Sequence, residues 1–239
     1  MSGEDAIESF VRTHVVRARR SHAGDGLAWF ATGAPADELN GVLRAEASRL
    51  PEAEAAVVGV PALWHSWPGH ERYDIERELL ARGFAFVEEE PLMTRELPAP
   101  VEVAVEPAAV AGVRIRPATT TADLRAWATV WLGSDPDPAV VAALAEAPTA
   151  TYLLAETSGR AVGCAAAVTA GDAVAVEHVV TDADHRGRGI GTALTAAVLA
   201  AGVAAGASTA LLTASPDGAG IYRRLGFASR RPVRRFTRP

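Results

Sequence analysis

From residue 113 onward the apolar positions switch between two periods. Val113-Arg114-Ile115-Arg116 alternates in the manner of a short half-buried strand. Leu124, Trp127, Ala128 and Trp131 then recur at helical spacing, behind Thr121 or Asp123, either of them suited to capping a helix. Residues 138–147 predict a second helix. Two runs, 152–156 and 161–169, flank Ser158-Gly159 and predict a hairpin. A β-rich run over 174–181 leads into an alanine- and leucine-rich helix over 189–205. A strand over 209–214, a helix over 216–225 and a last strand complete the chain. Strands interleaved with helices in this order predict an α/β (α+β) fold.

Ahead of this pattern, Pro98, Pro100 and Pro107 sit among Ala, Val and Glu. Residues 98–111 read as a linker, with an added edge strand over 101–105. Domains are expected at 1–97 and 112–239. Leu79-Leu80-Ala81-Arg82-Gly83-Phe84 parallels Tyr222-Arg223-Arg224-Leu225-Gly226-Phe227, and strand-like residues follow each. The N-terminal part therefore reads as a degenerate copy of the C-terminal one, with an unrelated α/β lid as the alternative. It has Leu79 where the second copy has Tyr222, and no arginine–glycine loop precedes it.

Composition narrows the classes. The chain has 239 residues, 49% of them hydrophobic, enough for one sizeable core or two small ones. No run is long and apolar enough to predict a membrane span, and the acidic start Met1-Ser2-Gly3-Glu4-Asp5 is unlike a signal peptide. One cysteine, Cys164, excludes an intrachain disulfide framework, so a cytoplasmic protein is expected. A net charge of −6 argues against nucleic acid as a partner. Arg230, Arg231, Arg234, Arg235 and Arg238 are the exception, read as the solvated face of the last strand. The chain contains no lysine. His65 and His70 lack zinc-helix spacing and a cysteine partner, so no metal site is expected. No G-x-S-x-G or Cys/His pairing supports a hydrolase.

The richest segment is Asp182-Ala183-Asp184-His185-Arg186-Gly187-Arg188-Gly189-Ile190-Gly191-Thr192. Glycines let backbone approach a ligand, and the open N–H groups at a helix start, with the helix dipole, favour an anion such as a diphosphate. Arg186 and Arg188 add charge-assisted contacts, and His185 stands beside them. A P-loop needs Gly-Lys-Ser/Thr and fails for want of lysine; the dinucleotide pattern G-x-G-x-x-G fails at Thr192. Arg186-x-x-Gly189-x-Gly191 fits Arg/Gln-x-x-Gly-x-Gly/Ala. Downstream, Ser215-Pro216 reads as a helix start and Gly226 as a helix terminator within Tyr222-x-x-Leu225-Gly226-Phe227.

On these two motifs the chain resembles the GNAT superfamily of N-acetyltransferases. The resemblance implies a mixed central sheet flanked by helices, with a degenerate GNAT-like N-terminal domain. It implies an acyl-CoA-dependent N-acyltransferase using acetyl-CoA as cosubstrate, with the primary amine of a small molecule as acceptor and direct transfer in a ternary complex. A non-catalytic acyl-CoA-binding regulator with the same fold is the alternative, and the sequence leaves monomer and homodimer open. The coenzyme's diphosphate is expected on Arg186, Gly187, Arg188, Gly189, Ile190, Gly191 and Thr192. Its pantetheine arm is expected along the main chain of Val179, Val180 and Thr181, and Ser215 stands where many members carry an asparagine that bonds that arm. Tyr222 is the expected general acid, or else a packed tyrosine. Glu177 is the expected base, acting through water, or else the partner of an arginine. By strand alternation His178 faces away from Glu177 and is read as structural. Trp127 and Trp131 border the acceptor site in such a fold, or form the core stripe of their helix.

Overall fold

A computed structural model describes residues 1–24, 26–69, 72–98 and 110–238. Most of the expected linker, and with it the added strand over 101–105, lies outside the described residues. Packing divides the chain into two units. One comprises Met1–Thr94, Glu146–Pro148 and Thr213–Pro239; the other comprises Arg95–Ala145 and Thr149–Leu212. The last strand and the segment carrying Tyr222 thus pack with the N-terminal residues.

In the second unit, strands β6 (Arg114–Pro117), β7 (Ala150–Thr157), β8 (Arg160–Ala170) and β9 (Ala173–Thr181) pair antiparallel in sequence order. β10 (Thr209–Thr213) joins β9 in parallel. Every residue from Val162 to Val168 in β8 is buried, as expected of a strand covered on both faces. Helices α4 (Thr121–Leu132) and α6 (Ile190–Ala204) pack against it, and α5 (Pro138–Glu146) follows α4. Alanine at 165, 166 and 167 keeps that surface shallow. Where α6 passes β9, a methyl group added at Gly202 would lie 2.5 Å from a Val174 methyl.

α4 is capped by Thr120, not by Thr121 or Asp123. Thr120 Oγ1 accepts from the Asp123 amide and the Asp123 carboxylate accepts from the Thr120 amide, a reciprocal capping box one residue earlier than expected. Arg116 ties this helix start to the sheet, donating to Asp123 at 2.7 Å and to Glu156 at 2.7 Å. Arg116, followed by the Thr120 and Thr119 contacts, holds the Asp123 carboxyl well below the usual carboxylate range.

In the first unit, α1 (Gly3–Val15) precedes the antiparallel run β1 (Arg20–Gly24), β2 (Leu27–Ala31) and β3 (Asn40–Ala45). Then come α2 (Leu50–Ala56), β4 (Leu63–Ser66) parallel to β3, α3 (Arg72–Ala81) and β5 (Ala85–Glu96). α7 (Ala219–Arg224) and β11 (Ala228–Thr237) complete it, with β11 antiparallel to both β4 and β5. Helix, three antiparallel strands, helix, parallel strand, helix and long strand is also the order from α5 to β11. The two halves of the chain therefore repeat one topology, in line with a degenerate N-terminal copy.

Of the C-terminal arginines expected on a solvated face, Arg230 and Arg238 are exposed, but Arg234 and Arg235 are only partly so and are held by carboxylates. Arg235 reaches Glu88 at 2.7 Å and Glu90 at 2.9 Å, Arg238 reaches Glu54 at 2.7 Å, and Arg234 bonds the buried Glu76. Arg234 and Arg235 are consecutive in β11 and find separate partners, Glu76 and Glu89 for the first and Glu88 and Glu90 for the second. A sequence pattern cannot show that, because the partners lie far away in the chain.

Gly202→Val should overpack the α6–β9 contact and cost about 1–3 kcal/mol, read as a lower denaturation midpoint. Asp123→Ala should destabilise at neutral pH. The folded-state pKa of Asp123 lies below its unfolded value, so its contribution is full above the ordinary carboxylate pKa of about 4. That contribution is lost as pH falls further, and the melting difference between wild type and Asp123→Ala should shrink below that pH.

Candidate active site

The second unit builds its chemistry on the far end of β9. Cys164 faces Val180 and Ala166 faces Glu177, so β9 carries one more residue than β8 between those pairs. The extra residue is accommodated at His178, in the left-handed region at φ 52°. Holding a non-glycine residue there costs about 1–3 kcal/mol. Alternation consequently breaks. Tyr152, Ala166 and Glu177 form one cross-strand row, and the Tyr152 ring meets Trp127 of α4 edge-on at 4.9 Å. The His178 ring lies 4.5 Å from Trp131 and 5.6 Å from Trp127. His178 thus shares the α4 face with Glu177, contrary to the expectation from alternation.

Val179 and Thr181 turn the other way, towards α6. A methyl group built on Gly191 would stand 3.7 Å from Thr181 Oγ1 and 3.9 Å from a Val179 methyl. The ladder between β9 and β10 runs only from Ala173 to Ala175. Among the described residues of this unit, Val179, Val180 and Thr181 lie beyond the end of that ladder, and an extended ligand fits such an edge as an added strand.

The loop after β9 is held from below. The Asp182 carboxylate accepts from the Asp184 amide at 3.0 Å, contacts His185 Nδ1 at 3.3 Å and takes Arg160 at 2.8 Å. His185, then the Asp184 amide, with Arg160 adding charge, hold that carboxyl below the usual carboxylate range. His185, expected beside the phosphates, is engaged by Asp182. Arg186 Nε donates to the Thr181 carbonyl at 3.2 Å and Arg188 to the Asp184 carbonyl at 3.1 Å. Gly187 (φ 75°) and Gly189 (φ 84°) adopt the left-handed backbone that glycine permits. Gly189 begins α6 without a side-chain cap, and its carbonyl accepts from Ala193 at 3.0 Å. First-turn amides at Ile190, Gly191 and Thr192 therefore point outward with no side chain across them. An anion fits there, and a diphosphate gains the two exposed arginines besides.

A cleft of about 930 Å³ opens between this loop and α4, lined by Trp131, Arg160, Val180, Thr181, Asp182 and Arg186 among others. The two tryptophans divide their roles. Trp127 is fully buried and donates to the Ala165 carbonyl at 2.9 Å, whereas half-buried Trp131 faces the cleft. Arg160 was not foreseen; it follows the Ser158-Gly159 turn with no motif to mark it. The described residues include no cluster of three or more side chains able to hold a metal ion. None of their helices is long and apolar enough to cross a membrane.

Tyr222 and Ser215 belong to the first unit. The expected helix over 216–225 is shorter: Ser215 Oγ accepts from the Gly218 amide at 3.2 Å, closing a turn, and α7 starts only at Ala219. Tyr222 is half-buried, its ring 5.9 Å from Phe227 and edge-on to it, and a methyl group added at Gly218 would lie only 3.1 Å from that ring. Gly226 (φ 83°) ends α7 and turns the chain so that the Phe227 amide returns to the Tyr222 carbonyl at 3.0 Å. The Leu225-Gly226-Phe227 motif thereby fixes the main-chain turn that follows Tyr222.

In the second unit, a strand that bulges and loses its ladder thus runs into a glycine-rich, uncapped helix start suited to an anion. Residues 148–229 match the family model for an acetyltransferase (GNAT) domain, a span that includes both the phosphate loop and Tyr222. Over these residues the chain is similar to GNAT acetyltransferase domains. No curated protein sequence matches the chain. Among solved structures, a GCN5-related N-acetyltransferase from Kribbella flavida is 22% identical with a TM-score of 0.66, covering 100% of this chain and 96% of its own. A GNAT-family protein from Novosphingobium aromaticivorans is 17% identical with a TM-score of 0.61, covering 96% and 95%. A tandem GNAT protein from the clavulanic acid biosynthesis pathway covers 99% and 96% at 13% identity and a TM-score of 0.56. The fold of the whole chain is that of these proteins.

Asp182→Ala should release Asp184, His185 and Arg160 together. Hydrogen exchange should quicken at 183–189 while the β8 amides keep their protection; unchanged exchange in the loop would mean that Asp182 does not hold it.

Proposed function

We propose that the protein is an acyl-CoA-dependent N-acyltransferase, moving acetyl from acetyl-CoA to the primary amine of a small molecule by direct transfer in a ternary complex. The uncapped start of α6 behind two left-handed glycines carries this reading. Ile190, Gly191 and Thr192 offer amides to the diphosphate, Arg186 and Arg188 balance its charge, and the main chain of Val179, Val180 and Thr181 pairs with the pantetheine arm. The bulge at His178 leaves a β9 amide to polarise the thioester carbonyl. The coenzyme supplies the acyl thioester: the amine nitrogen bonds to its carbonyl carbon and the carbon–sulfur bond breaks. Glu177 takes the proton lost by the amine through water, and the Tyr222 hydroxyl returns one to the thiolate.

Ser215 is committed to the Gly218 amide, which weakens its expected contact to the pantetheine arm. The acceptor is read as an amine that reaches the cleft beside Trp131, where an indole face suits a cation. A cytoplasmic location fits this metabolic role.

Titration calorimetry with acetyl-CoA, followed by thiol release over a panel of amines, tests the reading. Arg186→Ala should weaken coenzyme binding by roughly tenfold, the worth of one charge-assisted contact. Tyr222→Phe should keep the affinity and lower turnover by about 10²-fold. Unchanged turnover would remove Tyr222 from the chemistry. Binding with no thiol release on any amine would leave a coenzyme-binding regulator in place of an enzyme.

A further inference from the structure

Trp131 lines the cleft of about 930 Å³ beside the phosphate loop, yet its place on α4 is a poor one for a rigid wall. The helix ends one residue later at Leu132, and Gly133 turns the chain away at φ 69°. Side chains in a last turn share the fraying of helix ends. Trp131 is nonetheless braced. Its ring lies 4.5 Å from the His178 imidazole, tilted by 53°, and 5.6 Å from Trp127. The brace is itself anchored. His178 meets Trp127 at right angles, the Trp127 indole N–H donates to the Ala165 carbonyl, and Tyr152 stands edge-on to Trp127.

The backbone at 178 singles out this imidazole. Glycine would take a φ of 52° at no steric cost, as Gly187 and Gly189 take theirs a few residues on. A histidine there keeps strain that glycine would remove, and the ring is what glycine would forfeit. His178 is not among the residues lining the cleft, so it acts through the Trp131 indole that is.

The charges of the cleft narrow what that indole receives. Arg125, Arg160 and Arg186 line it against Asp182 and Asp184, and Arg125 is paired with Asp135 at 2.6 Å. Among the described residues the lining thus carries no surplus of carboxylates for a second ammonium group, which disfavours a polyamine. A flat, half-buried indole backed by further rings makes its most specific contact with another flat ring. We propose that His178 is a positioning residue, holding Trp131 as the wall against which the ring of an arylalkyl monoamine acceptor packs. The proposal rests on the transferase reading for the place of the acceptor.

The test compares 2-phenylethylamine with 2-cyclohexylethylamine, which has the same carbon skeleton without the π face. In steady-state transfer from acetyl-CoA the aromatic amine should show a KM lower by about three- to tenfold at similar kcat, the worth of one ring-on-ring contact. Trp131→Leu and His178→Gly should each bring the two KM values together with coenzyme affinity unchanged. His178→Phe, which keeps a ring beside the indole, should retain the difference. Glycine serves a role confined to the backbone, so a preference that survives His178→Gly overturns the proposal, as do equal KM values in the unaltered chain. Where no transfer is seen, the two amines are titrated onto the isotope-labelled chain with coenzyme A present. A saturable shift of the Trp131 indole that favours the aromatic amine then supports the proposal and counts against the transferase reading alone; no such shift overturns it.

Discussion

One surplus residue in β9 decides where the groups of the candidate site point. Had the strand kept strict alternation, His178 would face α6 and Val179 would face α4. Instead, the left-handed turn at His178 places Glu177 and His178 against the α4 tryptophans and sends Val179 and Thr181 towards the glycines of α6. The unfavourable backbone angle is offset by dense packing around it: Trp127 anchored on Ala165, Trp131 against the imidazole, and the Cys164 thiol 3.5 Å from the His178 carbonyl. Burial pushes that thiol up to about 12, so Cys164 behaves as an apolar filler and not as a nucleophile. Strain of this kind persists only where the neighbours overdetermine it, and here they do.

Electrostatics at the loop follow the same division of labour. Asp182 spends its charge on Arg160, His185 and the Asp184 amide, all within the loop or beside it. Among the described residues, that inward pairing leaves Arg186 and Arg188 tethered to carbonyls and not to a carboxylate. The start of α6 adds a partial positive charge. A negatively charged ligand would thus meet a loop already held by its own hydrogen bonds.

The features legible in the sequence were those with local causes. Gly187, Gly189 and Gly226 mark left-handed backbone, Arg186-x-x-Gly-x-Gly marks an open helix start, and the period of apolar residues placed every strand of the C-terminal half within a few positions. What escaped depended on distant partners. Thr120 took the cap because Asp123 was already committed to Arg116 as well as to the helix start. The His178 bulge has no signal in a run of Val, Ala and Glu, since histidine gives no warning of a positive φ. Alternating arginines in β11 looked like a wet surface because Glu54, Glu76, Glu88 and Glu90 lie far upstream. The echo of Leu-x-x-x-Gly-Phe around Gly83 did point to a repeated topology.

β11 has both of its strand neighbours in the N-terminal unit, and the segment bearing Tyr222 leads directly into it. The portion of the chain with recognisable motifs is therefore not a module that evolution can excise: without β4 and β5 its final strand would have two bare edges and unpaired arginines. The N-terminal unit thus closes around a strand supplied from the far end of the chain, and its sheet would be split between β4 and β5 if that end were cut away.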